Sequence, residues 1–107
     1  MKKLLVLVLA ACFGSPAFAA GDAASGKQKS QSCAACHGAD GNTPTAPDFP
    51  RLAGQHYDYL LKALRDYKSG SRKNPIMGGQ VSGLSTQDMA DLAAYFSSQK
   101  GVLHVIR

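Results

Sequence analysis

The sequence predicts a small all-α domain. Two segments, residues 57–69 and 85–101, place apolar side chains at intervals of three and four, the period of an amphipathic helix. A third segment opens on Asp22, a helix-capping residue, and runs into a closely spaced cysteine pair. Between them, residues 38–55 hold three prolines and three glycines, which excludes a long helix or a central strand there.

Each element has its own local reason. Asp22 predicts a first helix over about residues 23–33, because its carboxylate accepts from the free N–H groups of the first turn. Lys27 and Lys29 suit the negative end of the helix dipole. The cysteine pair closes this helix, and Gly38 and Gly41 end it. The second helix is predicted from about Tyr57 to Ser69, with Leu60, Leu61, Leu64 and Tyr67 as its core stripe. Asp58 precedes Lys62 by four residues, a mildly stabilising pair. Gly70 stops the helix, and residues 70–84 read as a second loop carrying Pro75, Met77 and Gly78-Gly79. The last helix starts at Ser85-Thr86-Gln87-Asp88, with a cap and a favourable acid in its first turn. Met89, Leu92, Ala93 and Phe96 form its core stripe, Asp91 and Tyr95 take other faces, and Gly101 ends it. The apolar tail 102–107 either pads the domain or forms a short edge segment.

The first 19 residues read as a signal peptide rather than as part of the domain. Lys2-Lys3 precede an apolar run from Leu4 to Phe13, and Ala17-Phe18-Ala19 is a small-x-small cleavage pattern. The run is too short to span a bilayer. Cleavage after Ala19 would leave a single domain, residues 20–107, exported to an oxidising compartment, which in a bacterium is the periplasm. Leu9-Ala10-Ala11-Cys12 also resembles a lipobox, which would make Cys12 a lipid anchor. The short run and the cleavage pattern downstream favour the soluble form.

The 107 residues carry 12 Lys plus Arg against 7 acids, a net charge of +5. Without Lys2 and Lys3, ten basic side chains face seven aspartates, a net of +3. That is mild steering toward acidic surfaces. The basic residues Lys62, Arg65, Lys68, Arg72 and Lys73 alternate with Asp58 and Asp66 and match no nucleic-acid-binding motif. There is no tryptophan, and a chain this short has a limited apolar core. A large flat cofactor would supply the missing centre.

Cys33-Ala34-Ala35-Cys36-His37 names that cofactor. The spacing C-x-x-C-H is that of covalent haem attachment. On a helix the two thiols lie one turn apart and face one way, each able to form a thioether with a haem vinyl group. His37 follows on the same turn and reaches the iron. A thioredoxin-like pair would need a preceding strand and a βαβ setting. A zinc site would need two further ligands at usual spacing, and His56 and His104 do not supply it.

His37 is thus the proximal ligand. Its second ring nitrogen should donate to a carbonyl, which fixes the tautomer and raises donor strength. Pro50 is the candidate, because a proline bend can aim its oxygen. The opposite ligand is sought among Met77, Met89, His56 and His104. Met77 is preferred, since it lies in a predicted loop after Asn74-Pro75-Ile76 and before two glycines. Met89 falls on the core stripe. Tyr57 and Tyr59 could pack on the haem or bond a propionate, and His56 reads as a surface residue.

These residues resemble the class I cytochromes c, particularly the small bacterial periplasmic monohaem kind. Besides Cys33 to Gly38, the segments Pro50-Arg51-Leu52-Ala53-Gly54-Gln55, Asn74-Pro75-Ile76-Met77 and Leu84 to Phe96 are similar to the family's. The same segments recur in one domain of the two-haem periplasmic cytochromes. The resemblance implies N- and C-terminal helices that cross at Gly26 beside Tyr95 or Phe96, with a middle helix and loops wrapped round one haem. It also implies electron transfer between membrane complexes, such as a quinol-oxidising complex and a terminal oxidase, by a monomer or weak dimer. Haem with two protein ligands has no open position for substrate, so an electron carrier is expected rather than an enzyme. A peroxidase-like protein or gas sensor with a displaceable sixth ligand is the rival reading. A subunit of a larger oxidase or dehydrogenase is chemically equivalent to the carrier.

Overall fold

A computed structural model describes Lys3 and residues 20–103. The expected signal peptide with Cys12, and the tail from His104 onward, lie outside the described residues. Five helices follow in order: α1 (Ala23–Lys29), α2 (Gln31–His37), α3 (Tyr57–Ser69), α4 (Pro75–Val81) and α5 (Thr86–Ser98). Among the described residues there is no strand. The all-α class I cytochrome c architecture is as expected: the first and last helices pack most extensively on each other, and α3 covers a second side of α5.

Two elements differ from the sequence expectation. The first helix is two short ones, broken at Ser30, whose hydroxyl donates to the Lys27 carbonyl at 2.7 Å. A hydroxyl competing for a main-chain acceptor disturbs the helical ladder there. Residues 75–81, expected in a loop, form α4. The Asn74 side chain accepts from the N–H groups of Ile76 and Met77 at 3.0 and 3.1 Å. Pro75 occupies the first turn, where its missing N–H costs nothing and its fixed φ is already helical. Val81, 1% exposed, anchors the far end.

The α1–α5 crossing is a backbone-to-backbone approach. A Cβ added at Gly26 would lie 2.0 Å from the Asp91 carbonyl oxygen and 2.8 Å from the Tyr95 Cβ. Only glycine allows the axes so close. The core beneath is Leu60, Leu92, Ala93, Tyr95 and Phe96. Asp91 and Tyr95, placed off the core stripe of α5, are both buried, because α5 is covered by α1 on one side and α3 on another; Tyr95 lies beside Gly26 as the resemblance implies.

Burial of Asp91 is matched by three donors. It accepts from the Asp22 N–H at 2.8 Å, from Gln87 Nε2 at 2.8 Å and from Lys29 Nζ at 2.6 Å. Lys29 also reaches Asp88 at 2.8 Å. Burial alone would raise the Asp91 pKa, but these donors outweigh it and hold the carboxyl below its ordinary range. Asp88 is held at about 2 by Lys29 and by the Ser85 N–H of the α5 capping box. On α3, Lys62 pairs with Asp66. Past α5, Asn42 Nδ2 donates to the Lys100 carbonyl at 2.8 Å, stitching the start of the tail to the 38–55 loop.

Candidate haem-binding site

The site is built on α2 and on the loop that folds back over it. Cys33 and Cys36 stand one turn apart on α2, both half-buried and not joined to each other. Burial pushes the Cys33 thiol up. His37 is the last residue of α2 and is 5% exposed. The chain leaves the helix through Gly38, at φ +86°, a conformation that favours glycine.

His37 Nδ1 donates to the Pro50 carbonyl oxygen at 2.8 Å. A carbonyl can only accept, so the proton of the neutral ring resides on Nδ1 and Nε2 keeps its lone pair. Two sulfurs on one helical face, with an imidazole lone pair on the next residue, form the donor set that covalent haem requires. Loop and helix hold this arrangement from several sides. Thr45 caps the end of α2, its N–H donating to the Cys36 carbonyl at 2.9 Å and its hydroxyl to that of Ala35 at 3.1 Å. The Tyr95 hydroxyl donates to the Ala39 carbonyl at 2.9 Å. The Gly54 N–H donates to the Phe96 carbonyl at 3.0 Å, so α5 grips both limbs of the loop carrying Pro50. The Phe49 ring lies against the His37 ring.

Cys33, Cys36, His37 and Pro50 therefore meet in one place. Met77 is carried by a different element, half-buried on α4, which packs against α3. Met89 is a core residue, 4% exposed. His56 is exposed at the start of α3. Tyr57 packs on the core, whereas Tyr59 is 51% exposed. Thr45, Phe49 and the Tyr95 hydroxyl escaped the sequence reading. Tyr95 was placed at the helix crossing only, and nothing local marks Thr45 or Phe49.

The cytochrome c family profile matches residues 23–100. The chain belongs to the cytochrome c family. It is similar to cytochrome c4 of Pseudomonas aeruginosa, 56% identical over 101 residues, which is 94% of this chain and 50% of that one. It is 46% identical over 84 residues to cytochrome c-554(548) of Halomonas halodenitrificans, covering 76% of this chain and all of that one. The crystal structure of reduced recombinant cytochrome c4 from Pseudomonas stutzeri superposes with a TM-score of 0.72 at 54% identity, over 77% of this chain and 47% of that one. The chain thus spans about half the length of the cytochrome c4 relatives it matches. No helix among its described residues is long and apolar enough to cross a membrane.

Proposed function

We propose that this cytochrome c is a periplasmic one-electron carrier using a single covalently bound c-type haem. The observation that carries the reading is the His37 Nδ1–Pro50 hydrogen bond at the end of the helix bearing Cys33 and Cys36. Each thiol would add its S–H across a haem vinyl group, forming a thioether with no oxidant needed. His37 Nε2 and the Met77 sulfur would hold the iron. Bound there, haem supplies a reversible one-electron couple at its iron.

The chain's own residues do the rest. Pro50 holds the imidazole in one tautomer and orientation and raises its donor strength. Neutral imidazole and neutral thioether add no charge to offset the iron, which favours the reduced state. Thr45 and Tyr95 fix the backbone on either side of His37. Residues 1–19 would direct export and be removed. The partners would be redox proteins such as a quinol-oxidising complex and a terminal oxidase, met as a monomer or weak dimer.

Spectra of the purified holoprotein test this. Mass spectrometry should show one haem on Cys33 and Cys36. The oxidised form should show a weak near-infrared band that disappears in Met77→Ala. Rapid stoichiometric carbon monoxide binding by the native ferrous protein at neutral pH would overturn closed Met77 ligation and favour the gas-binding alternative.

A further inference from the structure

We propose that Phe49 is a positioning residue for the iron ligand, its ring walling off the His37–Pro50 hydrogen bond from water. The inference rests on His37 being that ligand. The two ring centroids are 6.2 Å apart and the planes tilt by 58°, within the ~4.5–7 Å range of aromatic pairing. His37 is 5% exposed although Pro50, its acceptor, lies on an exposed stretch of loop. Phe49, next to Pro50 in the chain, is itself half-buried, and its ring pairs with that of His37.

The backbone is arranged to hold it there. The Phe49 N–H donates to the Ala46 carbonyl at 3.1 Å, closing the turn Ala46-Pro47-Asp48-Phe49. Pro47 takes the second position, where its fixed φ suits a type I or II turn. Pro50 then biases Phe49 toward extended backbone, since the helical region is disfavoured for a residue before proline. One segment, Pro47-Asp48-Phe49-Pro50, thus delivers both the acceptor and the ring beside it.

The consequence is electrostatic. A hydrogen bond in a dry, low-dielectric setting is stronger than one shared with water. A stronger bond from Nδ1 makes the imidazole a better electron donor through Nε2. Phe49 would therefore set how strongly His37 donates to the metal by acting through the Pro50 hydrogen bond.

The test follows one proton by NMR in the reduced holoprotein. The exchange rate of the His37 Nδ1 proton is compared in the parent, Phe49→Ala and Phe49→Leu. Phe49 is only half-buried and its turn is closed by backbone atoms, so both variants fold. Exchange at least tenfold faster in Phe49→Ala, with Phe49→Leu within threefold of the parent, is the expected result. A rescue by leucine separates a water screen from a general loosening, which would move amide exchange throughout the loop. Exchange in Phe49→Ala within threefold of the parent overturns the screen, as does Phe49→Leu exchanging as fast as Phe49→Ala. A His37 imidazole without haem ring-current shifts overturns the ligand assignment itself, and this proposal with it.

Discussion

Truncating Asp91 to alanine tests the tie between the first and last helices. Asp91 is 2% exposed and its carboxylate takes three donors. Asp91→Ala leaves the part-buried Asp22 N–H without its acceptor, a cost of about 2 kcal/mol. Lys29 keeps Asp88 and is one-third exposed, so its loss is about 0.5–1 kcal/mol. Gln87 can turn to solvent and adds little. The sum is about 3 kcal/mol, more than a hundredfold in the folding equilibrium and a large share of a small domain's stability. Asp91→Asn keeps an acceptor for the Asp22 N–H and loses only the charge, so it should cost about 1 kcal/mol. Urea unfolding of the holoprotein at pH 7, followed by far-UV circular dichroism, measures both. A loss below about 0.5 kcal/mol in Asp91→Ala would refute the claim that this cluster holds α1 on α5.

Three further outcomes are expected. Asp88 is depressed to about 2 from 3.8, so its contribution is complete above pH 4 and is lost as pH falls through about 2. With its side chain 28% exposed, screening reduces that contribution to about 1 kcal/mol, and Asp88→Asn should flatten the acid limb of a stability–pH curve by this amount. Gly26→Val places branched carbon where 2.0 Å separates even a Cβ from the Asp91 carbonyl. It should cost more than about 3 kcal/mol, and a melting temperature near the parent's would contradict the crossing. Asn74→Ala removes the α4 cap and should cost about 1 kcal/mol, read as faster amide exchange confined to residues 75–81.

Elements whose signals are local were legible in the sequence. The spans of α3 and α5 follow from their apolar period and from Ser85 and Gly70 at their ends. The cysteine spacing marked the candidate site but not α2 as a helix of its own, because one helix over about residues 23–33 was expected where the chain forms two. The α4 helix was missed because Gly78-Gly79 weigh against a helix, although Asn74-Pro75 is itself a start signal. Capping by Asn74 and packing of Val81 outweighed the glycine cost. The burial of Asp91 could not be read, because its partner Asp22 is 69 residues away. Nor could the partner of the Tyr95 hydroxyl be read, since the carbonyl it serves lies 56 residues earlier.

The helix pairing also orders events in time. Asp22 and Lys29 find their acceptor 69 and 62 residues further along the chain. Until the last helix arrives, the first has nothing to dock on, and the cysteine pair beside it remains in an open polypeptide. The architecture thus leaves both thiols reachable before the last helix has docked, and closes that access when α5 folds down on α1.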